Sequence, residues 1–189
     1  MSERSPALFL DRDGIINVNF GYVVRPEQTV FVAGIFELCE QALTAGYRPV
    51  VVTNQAGIAR GYYSEDDFHG YMAWLGQEFK RRGIPLAGVY FCPHHPEAKV
   101  ERYRKVCECR KPAPGMILRA AAELDLDLAA SVLVGDKASD VAAGEAAGVG
   151  RCFQVEAVQS MSDPQHVVFK PAAFAPVRKA LLAGPIRVG

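Results

Sequence analysis

At 189 residues, half of them hydrophobic, the chain is long enough to bury a sizeable core as one domain. Lys plus Arg and Asp plus Glu both number 21, so no net field draws the protein to nucleic acid or anionic lipid. No apolar run could span a bilayer and no basic region leads into a secretory core, so a cytoplasmic protein without a membrane or nucleic-acid partner is expected.

Residues 7–10 read as a buried strand that delivers Asp11 and Asp13 to its end. A strand alternates its faces with period two, so both carboxylates leave it pointing roughly the same way, and Gly14 lets the backbone turn behind them. Two acids side by side repel and lose hydration, so a fold that keeps both places a cation or a proton between them. Residues 34–45 carry Ile35, Leu38, Cys39, Ala42 and Leu43 at helical spacing, ended by Gly46, with Cys39 a small core hydrophobe. Residues 47–53 make a second strand whose last four positions are β-branched, and 54–63 read as loop. Ser64 with Asp67 starts a helix whose Phe68, Tyr71, Met72, Leu75 and Phe79 form a packing face, and Gly83 stops it.

A short strand at 88–92 leads into residues 93–115, whose four prolines and six Lys and Arg side chains rule out a continuous helix. A helix at 116–124 follows, then a buried strand at 131–135 ending at Asp136 and an alanine-rich helix at 139–147 closed by Gly148. A strand near 151–155 holding Cys152 in the core, a weak one at 166–169 and a helix around 173–182 finish the chain; 158–164 carries no clear pattern. Strands alternating with helices predict one domain over residues 1–189, a three-layer Rossmann-like α/β fold with a mostly parallel central sheet.

Ligands of open α/β sheets gather beyond the carboxyl ends of the strands. Neither a G-x-G-x-x-G fingerprint nor a Walker A loop is present, which argues against nicotinamide and P-loop chemistry. The chain instead sets an Asp pair after strand one, Thr53 after strand two, Lys111 beside Pro112 before a helix, and Gly135-Asp136-x-x-x-Asp140 after a later strand. With these four parts in this order it resembles the haloacid-dehalogenase-like phosphohydrolases over residues 7–150. The resemblance implies that Asp11 attacks phosphorus to form an aspartyl-phosphate, while Asp13 serves as general acid and then general base. It implies Mg²⁺ held by the Asp11 side chain, the Asp13 carbonyl, Asp136 and waters, with Thr53 and Lys111 on the phosphoryl oxygens. Asp140 is expected to position Lys111 or the metal's water shell; its bland alternative is an acid that simply favours a helix start. A short connection from Asp13 to the first helix implies a minimal cap and an open site.

Cys92-Pro93-His94 and Cys107-Glu108-Cys109 frame a second pattern, C-x-H followed by C-x-C. Three thiolates and one imidazole suit a tetrahedral structural Zn²⁺ with no open position, and soft sulfur disfavours Mg²⁺. His95 competes as ligand, but His94 repeats the one-residue spacing of the cysteines and is preferred. Zinc would give residues 92–110 a shape without a core of their own. Arg110 and Lys111 follow Cys109 directly, so the ordered loop would carry both cations over the acid pair.

The stretch Cys-Pro-His-His-Pro, the later Cys-x-Cys-Arg-Lys-Pro-x-Pro-Gly-Met and Gly-Asp-Lys-x-x-Asp are similar to a subgroup of that family acting on a heptose 1,7-bisphosphate. The subgroup implies hydrolysis of the 7-phosphate for lipopolysaccharide-type glycan precursors, zinc on Cys92, His94, Cys107 and Cys109, and substrate contacts from Asn54, Arg110, Lys111 and Lys137. Histidinol phosphate or another small sugar phosphate is the alternative substrate. A non-catalytic phospho-ligand module would have no use for Asp13. Arg60 is expected to be a solvated rim residue, and the chain a monomer.

Overall fold

The computed structural model describes residues 4–170 and 172–184; the rest of the expected domain lies outside the described residues. β1 (Ser5–Leu10) runs through the centre of a five-stranded sheet, between β2 (Arg48–Asn54) and β4 (Leu126–Gly135). β3 (Gly88–Cys92) borders β2, β5 (Arg151–Gln154) borders β4, and every pair is parallel. The chain therefore builds outward from β1 to β3, then crosses back to β4 and β5. The reversal opens a crevice at the carboxyl end of β1, where Asp11 stands.

Alternation along the strands divides the core in two. Leu8 and Leu10 of β1, Val51 of β2 and Val134 of β4 join one cluster with α1 (Ile35–Thr44), α3 (Glu65–Arg81) and α6 (Ala175–Leu182). Phe9, Val50, Val52 and Leu133 join the other, with α4 (Gly115–Leu124) and α5 (Ala138–Ala147). These are the flanking layers expected of a covered parallel sheet, and Cys39 is core as expected. The Ser64 start of α3 is a full capping box: Ser64 Oγ accepts from the Asp67 amide at 3.1 Å, and Asp67 Oδ2 accepts from the Ser64 amide at 2.8 Å.

Several expectations are corrected. β4 begins at Leu126, five residues before the apolar run, with a register shift between Pro6 and Leu8 of β1. Ser131 Oγ takes up the Ala7 amide at that irregularity, at 2.8 Å. The loop after β2 contains a four-residue helix, α2 (Ala56–Ala59). The unpatterned 158–164 stretch supplies β6 (Val158–Met161), paired antiparallel with β7 (Val167–Phe169). Cys152 is half-buried, against Gly144, rather than fully in the core. The connection from Asp13 to α1 is not short: it runs through residues 14–34 with one 3-10 turn at Pro26–Gln28. Among the described residues no helix is long and apolar enough to cross a membrane.

Candidate active site

The crevice at the end of β1 is a cleft of 560 Å³, and Asp11, Asp13, Asn54, Arg110, Lys111 and Lys137 are all on its wall. The ends of β1, β2 and β4 and the loop before α4 thus bring together residues spread over more than a hundred positions. Asp11 continues β1 by donating its amide to the Val134 carbonyl at 3.0 Å, which fixes its Cα at the switch point.

Lys111 is buried, and its ammonium is fully used: Nζ donates to Asp11 Oδ1 and to the Val52 carbonyl and lies 2.7 Å from Asp140 Oδ1. Burial works against its charge, but Asp11 and Asp140 outweigh that and hold the Lys111 pKa above its ordinary value. Asp140 also accepts the Lys137 amide at 2.9 Å through Oδ2, capping α5. Of the two roles expected for it, holding Lys111 is the one the geometry satisfies, and it cannot sit elsewhere without breaking both bonds.

The acid cluster is short of positive charge. Asp11, Asp136 and Asp140 each present an oxygen, all within 4.8 Å of one another, against the single ammonium of Lys111. Burial, then the neighbouring Asp11, pushes the Asp136 carboxyl up to about 7, and burial likewise raises Asp11 against the pull of Lys111. Asp136 Oδ1 is buried with no hydrogen-bond partner, and Lys137 Nζ stays 4.0 Å from it. An orphaned carboxylate oxygen beside a second acid is the donor set a hard, oxygen-seeking divalent cation takes. Gly14 makes room for it: a Cβ there would lie 2.5 Å from Asp136 Oδ2, and the backbone is left-handed at φ +95°.

Asp13 is held differently. Arg12 Nη2 donates to both of its oxygens, at 2.7 and 2.6 Å, and Nε donates to Oδ1 at 3.1 Å. Asn17 Nδ2 and Gln55 Nε2 complete the set at 3.1 and 3.2 Å. Arg12 itself is 0% exposed, lies near the Phe68 and Tyr71 rings, and donates to the Val23 carbonyl. Sequence reasoning passed over Arg12 and Gln55. An arginine wedged between two acids at the end of an apolar strand was a usable signal for the first; Gln55 carried none. Thr53 is buried, and its hydroxyl accepts from Gln55 Nε2 at 2.8 Å.

Asn54 turns its amide to the Lys111 backbone rather than freely into the cleft: Nδ2 donates to the Lys111 carbonyl and Oδ1 accepts the Lys111 amide, both at 3.1 Å. Arg110 donates to the His94 carbonyl at 3.2 Å, which ties it to the cysteine loop. Lys137 is exposed at the rim. Arg60 is only partly exposed and pairs with the Tyr22 hydroxyl, so it is less solvated than expected.

Behind Arg110 the second expected cluster is assembled. Cys92, Cys107 and Cys109 hold their sulfurs 3.1 to 3.5 Å apart. His94 Nδ1 lies 3.3 Å from Cys109 Sγ and 3.7 Å from Cys92 Sγ. The four ligand atoms all lie within 4.8 Å of one another, a group able to hold a soft metal ion. His95 is outside it, its Nδ1 accepting the Glu97 amide at 3.1 Å.

A parallel sheet with its acids at the switch point is the architecture of the haloacid-dehalogenase-like hydrolases, and a family model described as HAD-hydrolase-like matches residues 108–176. The D-glycero-alpha-D-manno-heptose-1,7-bisphosphate 7-phosphatase of Burkholderia mallei is 57% identical over 147 residues, 78% of each chain. The D-glycero-beta-D-manno-heptose-1,7-bisphosphate 7-phosphatase of Vibrio cholerae is 50% identical over 77% of this chain and 78% of its own. The crystal structure of D,D-heptose 1,7-bisphosphate phosphatase from B. bronchiseptica, complexed with magnesium and phosphate, superposes with a TM-score of 0.69 at 25% identity, covering 94% of this chain and 98% of that one. The chain belongs to this family of haloacid-dehalogenase-like heptose-bisphosphate phosphatases.

Proposed function

We propose that the protein is a Mg²⁺-dependent phosphomonoester hydrolase that removes the 7-phosphate of D-glycero-D-manno-heptose 1,7-bisphosphate through an aspartyl-phosphate on Asp11. The observation that carries this reading is the Asp11 carboxylate at the sheet's switch point, locked to Lys111 at 2.7 Å and facing a cleft whose other charges are Asp13, Arg110, Lys137 and Asp140. Family membership supports the substrate.

In the first half-reaction an Asp11 carboxylate oxygen forms a bond to phosphorus as the phosphorus–O7 bond breaks. Asp13 gives its proton to the departing O7, which an alkoxide of a sugar needs in order to leave. In the second, Asp13 takes a proton from water as that water's oxygen bonds to phosphorus and the phosphorus–Asp11 bond breaks, releasing phosphate. Lys111, held against Asp11, Asp140 and the Val52 carbonyl, offsets negative charge next to the phosphoryl group, and the Thr53 hydroxyl donates a hydrogen bond to a phosphoryl oxygen. Asn54 acts through its clasp on the Lys111 backbone as much as on substrate. Magnesium, when held by Asp11, Asp136 and the Asp13 carbonyl, supplies the charge that lets a carboxylate meet a phosphate dianion.

The second phosphate of the substrate falls to Arg110, whose planar guanidinium grips it bidentately, with Lys137 at the rim. In the same reading Cys92, His94, Cys107 and Cys109 hold a structural Zn²⁺ that aims Arg110. We read residues 1–189 as one domain, a view supported among the described residues by Val158, Val167 and Phe169 of the β6–β7 hairpin packing on the larger core. The test is phosphate release from both anomers of the heptose bisphosphate and from histidinol phosphate, with and without Mg²⁺. Turnover of a bisphosphate at least ~10-fold above histidinol phosphate, a difference of about 1.4 kcal/mol, is expected. Equal rates would return the chain to the histidinol-phosphate alternative.

A further inference from the structure

Gln55 sits where two catalytic side chains can be held by one group. Its Nε2 donates to Thr53 Oγ1 at 2.8 Å and to Asp13 Oδ2 at 3.2 Å, so one carboxamide nitrogen bridges the phosphoryl-binding hydroxyl and the acid. Such a bridge works only if the amide cannot rotate. Tyr63 prevents that: its hydroxyl donates to Gln55 Oε1 at 2.5 Å, eight residues away along the chain. Gln55 is 1% exposed and Tyr63 8%, so water does not compete for these bonds. Burial keeps the Tyr63 phenol protonated and therefore a donor.

The backbone makes room for the tyrosine. Gly57, in α2, lies directly under its ring, and a Cβ at that position would stand 2.2 Å from Tyr63 Cε1. Gly57 has no left-handed conformation to explain it, so space for the ring is the reason the position is a glycine.

We propose that Tyr63, through Gln55, is a positioning residue for the general acid: it fixes the rotation of the Gln55 amide, which together with Arg12 and Asn17 sets the orientation of the Asp13 carboxylate relative to the phosphoryl group. The inference rests on the reading of Asp13 as the acid that protonates the sugar oxygen. Misorienting that acid matters when the leaving group is an alkoxide and matters little when it departs without a proton, as p-nitrophenolate does.

The experiment measures kcat and KM for Tyr63→Phe, Gln55→Ala and Gly57→Ala on the heptose bisphosphate and, in parallel, the rate on p-nitrophenyl phosphate with Mg²⁺. Tyr63→Phe removes one oxygen and keeps the ring on Gly57, so melting should hold. It is expected to lower kcat on the bisphosphate ~10-fold with KM within ~2-fold, and to lower the aryl phosphate rate no more than ~2-fold. Gln55→Ala should lose ~100-fold on the bisphosphate and markedly less on the aryl ester, and Gly57→Ala should follow Tyr63→Phe. Equal losses on both substrates, a rise in KM alone, or an unchanged kcat in Tyr63→Phe overturns the proposal. Asp13→Asn separates the two readings. If it retains wild-type turnover of the bisphosphate, the assignment of Asp13 fails; if it is inactive there while Tyr63→Phe is unaffected, only the positioning role fails.

Discussion

Two clusters of electron-rich side chains meet at Arg110 and Lys111, and they are built in opposite ways. The carboxylates of Asp11, Asp136 and Asp140 stand on or just after strands and a helix of the sheet, and the chain supplies its own cation, Lys111, to two of them. The thiol of Cys92 ends β3, but those of Cys107 and Cys109 and the imidazole of His94 sit in a segment whose only regular element between β3 and α4 is a 3-10 turn at Glu101–Tyr103. No side-chain cation enters that cluster among the described residues. Burial raises the Cys92 thiol, whereas at Cys107 burial is outweighed by hydrogen bonds from Cys109 and Cys92, which lower it. Both clusters are thus assembled in the structure, but the chain brings a cation of its own only to the acids.

Breaking the acid cluster should have the largest effect. Asp11→Asn keeps shape and loses the nucleophile, and steady-state phosphate release is expected to fall more than ~10⁴-fold. Binding of a phosphate analogue, followed by calorimetry, should survive. A near wild-type rate would remove Asp11 from the mechanism. Stripping the sulfur cluster with a chelator and restoring only Mg²⁺ should also silence the enzyme, but for a different reason. The sheet should keep its far-ultraviolet circular dichroism while residues 92–110 become open to protease. Zinc near one equivalent per chain before stripping, and full activity afterwards, would show that the loop holds Arg110 and Lys111 without its metal. Arg110→Ala is the milder cut at the join of the two clusters. It should cost about 1.5–3 kcal/mol in kcat/KM on a bisphosphate and much less on a monophosphate, the loss of one charged hydrogen bond. Equal losses on both substrates would take Arg110 away from the second phosphate.

The same contrast governs what could be read from the chain alone. Asp11, Thr53 and Asp136 are each the first polar residue after an apolar strand, and the cysteine spacing is its own signature, so both clusters were legible. Residues whose task depends on a partner brought by a turn were not. Arg12 reads as one more charge until its guanidinium is seen packed beside Phe68 and Tyr71 and bonded to Asp13. Asn54 is expected as a substrate contact from the subgroup's pattern alone; it does line the cleft, and what the pattern could not show is that its amide also clasps a backbone fifty-seven residues on. The early start of β4 was hidden because Asp127, Ala129 and Ala130 break the apolar alternation where β1 is irregular. The β6–β7 hairpin was missed because Val158–Met161 leaves three of four residues exposed, so one-sided burial never wrote a pattern into it.

The smallest of these effects is read from the acid cluster without its ion. A carboxyl with its folded pKa raised binds protons more tightly in the native state than in the unfolded one. Asp136, pushed up to about 7 from 3.8, therefore favours the folded protein below 3.8, and that contribution is lost as pH rises toward 7. The ion-free protein should then melt lower at pH 8 than at pH 6, by ~2–4 °C. Magnesium binds the ionised carboxylates and only the folded chain assembles them, so its stabilisation should be greater at pH 8 than at pH 6 and should flatten the difference. Calorimetric scans at the two pH values, each with and without Mg²⁺, give the four numbers needed. A melting temperature that rises with pH in the absence of Mg²⁺ would show that the buried Asp136 carboxyl does not govern the stability of the ion-free acid cluster.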